Sequence, residues 1–80
     1  MTISTAQFRH ACALLNWSQL MLVWNARISH ESARRILMGY ETTDIPEEHL
    51  QAVQQALEAA GIEFVPDDGK GPRVYLRKTT

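Results

Sequence analysis

The stretch SQLMLVWNARISHESARRILMG, residues 18–39, contains the two segments that decide the fold. Five apolar residues in a row, 20–24, are followed within a dozen positions by a polar segment that carries two adjacent arginines. A bilayer-spanning helix needs about 18 to 20 apolar residues, so the apolar run is far too short to cross a membrane. The choice is therefore between a buried helix, an exposed contact surface and one half of a two-helix motif.

Capping residues place a helix in each segment. Ser18 is a suitable N-cap for a second helix, which contains the apolar run. After the four residues NARI, Ile28 and Ser29 begin a third helix over residues 29–38, and Gly39 stands where a helix C-terminus favours glycine. Its apolar stripe is Ala33, Ile36 and Leu37. Two short helices with such a short connection are typical of a helix-turn-helix, in which the second helix is held out to enter the major groove.

The N-terminal flank predicts a first helix. Ser4 and Gln7 have the spacing of a capping box. The residues that follow at helical spacing on one face are apolar, and they are Phe8, Ala11, Cys12 and Leu15. The pair Asn16-Trp17 breaks this pattern and ends the helix.

The C-terminal flank predicts a fourth helix and a hairpin. Pro46 suits the first turn of a helix whose inner stripe is apolar and which Gly61 stops. That stripe consists of Leu50, Val53, Leu57 and Ala60. Two β-rich runs then flank PDDGKGP and indicate a β-hairpin that pairs residues 63–65 with 74–77. The expected fold is mainly α: a four-helix helix-turn-helix domain with a short C-terminal β-hairpin, in one domain over 1–80, helical over 1–62 and hairpin over 63–78.

Composition and charge limit the class of protein. Eighty residues, 45% hydrophobic and 21% charged, fit one small ordered domain. The single cysteine, Cys12, cannot form an intrachain disulfide and fits a cytoplasmic protein, and nothing at the N-terminus resembles a signal peptide. The net charge is −1, but residues 1–40 carry +3 and residues 41–80 carry −4. This asymmetry favours one positive face, although a solvated mixture without a functional face stays open.

The order of several motifs resembles a known family. The segments ALLNWSQLML, ARIS and ARRILMG, with the tail ALEAAGIEFVPDDGKGPRVYLRK, are similar to the Cro/repressor-type (XRE-like) helix-turn-helix regulators of bacteria and phages. The resemblance covers about residues 7–78, and the combination of WSQ, IS, Gly39 and LEAAGIEF in this order carries it. It implies duplex DNA as the partner, with helix 29–38 in the major groove.

The resemblance also implies which residues contact DNA. The positions that match base-reading residues of the family are His30, Glu31, Ser32 and Arg35. An arginine suits guanine O6 and N7, and a carboxylate suits cytosine N4. The phosphate candidates are Gln19, Arg27, Ser29 and Arg34. Two alternatives stay open: Glu31 and Arg35 are also spaced as a surface ion pair, and His30 is then simply exposed.

Several residues depart from the family pattern, among them Val23, Leu37 and Met38. Leu20, Met21 and Trp24 stand at positions that are usually polar, and together they form an apolar stripe on one side of the second helix. The hairpin covers this stripe, or a second copy or another protein binds it, or it inserts near DNA. Arg27 stands where the turn commonly has glycine, and a positive φ there would cost about 1 kcal/mol.

The sequence therefore favours a cytoplasmic, sequence-specific DNA-binding regulator that acts as a homodimer and represses by occluding a promoter, while activation stays open. The alternative is a protein-interaction module of antitoxin or anti-repressor type that uses the apolar stripe and binds little DNA. We expect no enzymatic activity and no cofactor. We expect no metal either, since His10, His30 and His49 lie about twenty residues apart.

Overall fold

A computed structural model describes residues 3–65, 69 and 71–77 of the chain. The prediction of a mainly α domain with four helices and a C-terminal hairpin is confirmed. In chain order the elements are α1 (Thr5–Leu15), α2 (Gln19–Ala26), α3 (His30–Met38), a 3-10 turn (Thr42–Asp44), α4 (Glu47–Ala59), β1 (Ile62–Val65) and β2 (Arg73–Leu76).

Serines begin the first three helices, as the sequence predicts. The hydroxyl of each N-cap accepts the backbone N–H three residues further on, in Ser4, Ser18 and Ser29. The capping box is complete, because the Gln7 side chain also accepts the backbone N–H of Ser4 at 3.0 Å. The same three helices end at a residue in the left-handed conformation, which stops the helix and turns the chain: Asn16, Arg27 and Gly39.

The start of α4 differs from the prediction by one position. Pro46 is the N-cap and has an extended ψ of 136°, so the helix begins at Glu47 and the proline is not in its first turn. The ring still keeps Ile45 extended, at φ −128° and ψ 134°. Of the predicted inner stripe, Val53 and Leu57 are buried and the other two members are partly buried.

The core lies where the helices and the hairpin meet. Its largest fully buried side chains come from all four helices: Phe8, Leu22, Ile36, Leu57, Val53 and Cys12. The hairpin closes this core by packing β2 against α1 and β1 against α4. The rings of Phe8 and Phe64 meet edge to face, with centroids 5.7 Å apart.

The hairpin is antiparallel; β1 begins one residue earlier than predicted and ends as predicted, and β2 lies one residue earlier than predicted. Ile62 pairs with Leu76 and Val65 with Arg73, whereas the predicted runs are 63–65 and 74–77. The reason is Gly61, whose φ of +105° turns the chain directly after α4, so that Ile62 is already buried in the strand. Residues 66–68, 70 and 78 of the predicted hairpin lie outside the described residues.

Candidate nucleic-acid interface

Helix α3 is held against α1 and α2 by one side and faces solvent with the other. The side toward the core consists of Ser32, Ala33 and Ile36. At about 100° per residue, the opposite side is centred on Glu31, Arg34 and Met38. The N-cap Ser29 and the packing on α1 and α2 define this helix, so the charged side is presented by a helix and not by a loop.

Glu31 is the centre of a network with the two arginines of α3. Arg34 binds the carboxylate with two donors, Nη2 at 2.7 Å and Nε at 3.2 Å. Arg35 donates from Nε to the same oxygen that Arg34 Nη2 contacts, at 3.0 Å. The sequence alternative of a surface ion pair between Glu31 and Arg35 is confirmed, and it extends to Arg34.

This network fixes the charge of the exposed face. Hydrogen bonds from Arg34 first, and from Arg35 next, lower the pKa of Glu31 to about 2. The same carboxylate raises the pKa of Arg34 above its ordinary value. All three groups are therefore charged at neutral pH, and the network carries one net positive charge, which is less than two free arginines would offer to phosphate.

Each arginine has a further contact that orients its plane. Arg35 Nη1 donates to the backbone carbonyl of Asp44 at 2.7 Å, which joins α3 to the 3-10 turn. Arg34 Nη1 lies 3.1 Å from the sulfur of Met38, and its guanidinium stands 5.9 Å from the centre of the Tyr40 ring. Arg35 Nη2 has no hydrogen-bond partner among the residues that the structure describes, whereas all three side-chain nitrogens of Arg34 are engaged.

The prediction that Ser32 contacts bases is wrong. Its side chain points into the protein, where the residue is only 4% exposed. The hydroxyl oxygen lies 2.6 Å from Nδ1 of His49 on α4, within hydrogen-bonding distance. Ser32 lies on the same side of α3 as Ala33 and Ile36, and the packing of this side against the rest of the domain turns it away from solvent.

The remaining predicted contacts lie around the N-terminus of α3. His30 is exposed at its first position, and the Ser29 hydroxyl is used to cap the helix by accepting the N–H of Ser32 at 3.1 Å. Gln19 donates from Nε2 to the backbone carbonyl of His30 at 3.4 Å. This bond brings the starts of α2 and α3 together. The DNA contacts of His30, Ser29 and Gln19 stay predictions.

Arg27 ends α2 in a left-handed conformation, at φ 56° and ψ 49°. Of the two possibilities that the sequence leaves open for this turn, a positive φ or a different construction, the positive φ is the one present. An arginine there costs about 1 kcal/mol relative to glycine, because its Cβ crowds the backbone. The side chain is exposed, and among residues 3–65, 69 and 71–77 it has no ion-pair partner. Strain of this kind is often retained at functional positions.

The apolar stripe of α2, formed by Leu20, Met21 and Trp24, is exposed. Their exposed fractions are 46%, 40% and 66%. The alternative that the hairpin covers the stripe is therefore wrong. The hairpin packs against α1 and α4, since it must cover the core side of Phe8 and Leu57, and this leaves the outer side of α2 open.

Several other site types find no support in the part of the chain that the structure describes. No group of three or more His, Cys, Asp or Glu residues there has the geometry to hold a metal ion. Cys12 is buried, and burial raises the pKa of its thiol to about 11. No described helix has the length and apolar composition required to span a bilayer.

Comparison of the chain with protein-family models, curated proteins and solved structures finds no match. The function is therefore inferred from the geometry of α2 and α3. Three participants in that geometry are absent from the sequence predictions: His49, Tyr40 and the backbone carbonyl of Asp44. Each lies 6 to 17 positions from its partner. The contacts of Glu31 with the two arginines and of Arg34 with Met38, in contrast, follow the i, i+3 and i, i+4 spacings that sequence can reveal.

Proposed function

We propose that the chain is a sequence-specific regulator that binds duplex DNA as a homodimer, with α3 in the major groove. The observation that carries this proposal is the exposed charged side of α3, where Arg34 and Arg35 are oriented by Glu31 on a helix packed against α2. A rigid helix that presents arginines beside a second short helix is the arrangement by which helix-turn-helix proteins read DNA.

In the complex, Arg35 and His30 contact bases and the phosphate contacts come from the rim of the site. Arg35 uses Nη2, which lies next to the Nη1 that binds Asp44, to approach guanine. The contacts with the DNA phosphates come from Gln19, Arg27, Ser29 and Arg34. Glu31 either accepts from cytosine N4 or releases the two arginines, which then donate to acceptors on the DNA. In both cases DNA competes with the intramolecular network.

Dimerisation follows from size and symmetry. A chain of 80 residues buries a limited core and gains from an interface. Two copies related by a two-fold axis read a roughly palindromic operator whose half-sites lie about one helical turn, or roughly 34 Å, apart. The regulator acts in the cytoplasm and represses transcription by occluding a promoter.

The test is recovery of sheared genomic DNA by the purified chain at two salt concentrations, with the bound fragments sequenced. One or a few palindromic sites should be recovered by the chain and lost with Arg35→Ala. Arg77→Ala is the matched control, because it removes one positive charge from an exposed position after β2 and should keep the sites. Retention of all fragments without sequence preference, and with strong salt sensitivity, would mean that the chain binds only through electrostatic attraction to the DNA phosphates.

A second candidate function is a protein-interaction module of antitoxin or anti-repressor type with little DNA binding. The observation that favours it is the exposure of the stripe, above all Trp24 at 66%. Exposed contiguous apolar side chains mark interaction surfaces. No DNA recovery at either salt concentration, together with a partner that binds the stripe, would select this function over the first.

A further inference from the structure

Helix α2 is apolar on two opposite sides, and only one of them is used by the fold. Leu22 and Ala26 are buried against the core. At about 100° per residue, Trp24 lies on the opposite side of the helix, with Leu20 beside it and Met21 at the flank. A helix that is apolar all round is normally buried on all sides. In this chain the outer side of α2 faces solvent, so its apolar side chains are not buried by any described part of the protein.

The stripe has the composition of a binding surface. Tryptophan is enriched among the residues that dominate binding free energy, and methionine and leucine adapt to an apolar partner. The three side chains are at i, i+1 and i+4, so they form one continuous surface along the first two turns of α2. A partner that covers them with apolar side chains would bury the most exposed tryptophan of the described residues.

The segment that carries the stripe contains no acidic residue. Residues 1–30 contain no aspartate or glutamate, and α2 itself, QLMLVWNA, has no charged residue. Arg27 is the C-cap of α2 and follows Trp24 by three residues. It is exposed, has no ion-pair partner within the described ranges, and holds a left-handed conformation that glycine would adopt with less strain.

These features select one kind of occupant. A second copy that pairs stripe to stripe would bring Arg27 against another α2, which has no carboxylate to accept it. An acidic segment has the complementary charge. We propose that Leu20, Met21, Trp24 and Arg27 form a docking surface for an acidic amphipathic segment of another protein, whose apolar residues cover the stripe and whose carboxylate pairs with Arg27. This deepens the second candidate function and rests on it, and it assigns Arg27 to the partner's carboxylate in place of a DNA phosphate.

The test is selection of peptides by the full chain without any DNA present. A phage-displayed library of random 16-residue peptides is selected on the chain and, in parallel, on its Trp24→Ala variant. We expect the peptides that prefer the unmodified chain to combine aspartate or glutamate with apolar residues at helical spacing. The most enriched peptide, once synthesised, should shift the amide NMR signals of α2 in the isotopically labelled chain.

Matched variants identify the surface. Trp24→Ala should weaken the peptide by about tenfold or more, as truncation of a central tryptophan does. Arg27→Gly should weaken it about threefold to tenfold, and this variant folds readily because glycine favours the left-handed conformation. Leu14→Ala, an exposed leucine of α1, should leave the affinity unchanged. Arg35→Ala should also leave it unchanged, so that failure of DNA binding and failure of docking are separate results.

Four outcomes would overturn the proposal. They are the absence of any peptide that discriminates against Trp24→Ala, a selected set that is basic or uncharged, and amide shifts that lie outside α2. The fourth is that the stripe has another occupant. Sedimentation with vesicles of phosphatidylcholine and phosphatidylglycerol that depends on Trp24 would assign the stripe to an anionic membrane. A dimer that dissociates with Trp24→Ala would assign it to a second copy.

Discussion

The hydroxyl oxygen of Ser32 lies 2.6 Å from Nδ1 of His49, and this contact ties the candidate DNA-binding helix α3 to α4. Both residues are at least partly buried, so water does not readily replace either partner. The orientation of α3 therefore depends on a polar contact between helices as well as on the apolar side chains Ala33 and Ile36.

Replacement of Ser32 should destabilise the fold, and it should not remove a DNA base contact because the side chain is buried. Ser32→Ala leaves His49 Nδ1 without its partner, and we expect the free energy of unfolding to fall by about 1 kcal/mol or slightly more. Urea denaturation of Ser32→Ala, His49→Ala and the double variant gives the coupling between the two side chains. Additive effects, with a coupling near zero, would mean that the contact does not stabilise the domain.

The carboxyl group of Glu31 should titrate far below an ordinary glutamate. Its pKa is lowered to about 2 by hydrogen bonds from Arg34 and then Arg35. Because the folded pKa is depressed, the stabilisation is present above the ordinary pKa of glutamate and is lost as the pH falls toward 2. Carbon-detected NMR of the carboxyl group should give a midpoint near this value. Arg34→Ala should move the midpoint upward, and an unchanged midpoint would contradict the bidentate contact.

Removal of the Glu31 charge should strengthen non-specific DNA binding, if the chain acts on DNA as proposed. Glu31→Gln removes the carboxylate that occupies Arg34 and Arg35 and frees them for phosphate. The dependence of log affinity on log salt should become steeper by about one phosphate contact. Glu63→Gln, an exposed glutamate of β1, is the control with the same charge change. An equal gain from both variants would show that net charge alone is responsible.

Glycine at position 27 should stabilise the domain. Arg27→Gly places the residue that favours φ 56° at the end of α2, and we expect a gain of about 1 kcal/mol in the free energy of unfolding. Arg27→Ala removes the same charge and keeps the strain, so the difference between the two variants isolates the backbone effect. Equal stability of the two variants in urea denaturation would show that the strain at Arg27 is negligible.

Cys12 should react slowly with thiol reagents in the folded chain. It is 1% exposed, and burial raises the pKa of its thiol to about 11, so that almost no thiolate is present at neutral pH. Reaction with a disulfide reagent, followed by absorbance, should become fast only when denaturant unfolds the chain. Fast reaction of the folded chain would indicate local opening of α1 on the time scale of the assay.

Local sequence determined the helices and their ends. The hydroxyl of Ser4, Ser18 or Ser29 needs only its own backbone to act as a cap, and the apolar spacing of α1 and α3 selects the buried side of each helix. The ion pair of Glu31 with Arg35 is determined in the same way, since residues four apart on a helix are neighbours wherever the helix packs.

The tertiary structure decided every feature that depends on which surfaces meet. It buried Ser32 against His49, which lies 17 residues away, and so removed it from the base-reading set. It directed the hairpin onto α1 and α4, which left Trp24 exposed although the composition of α2 fits a buried helix equally well. The sequence shows that burial of an apolar side chain is favourable. Whether another part of the same chain buries it depends on how distant elements pack.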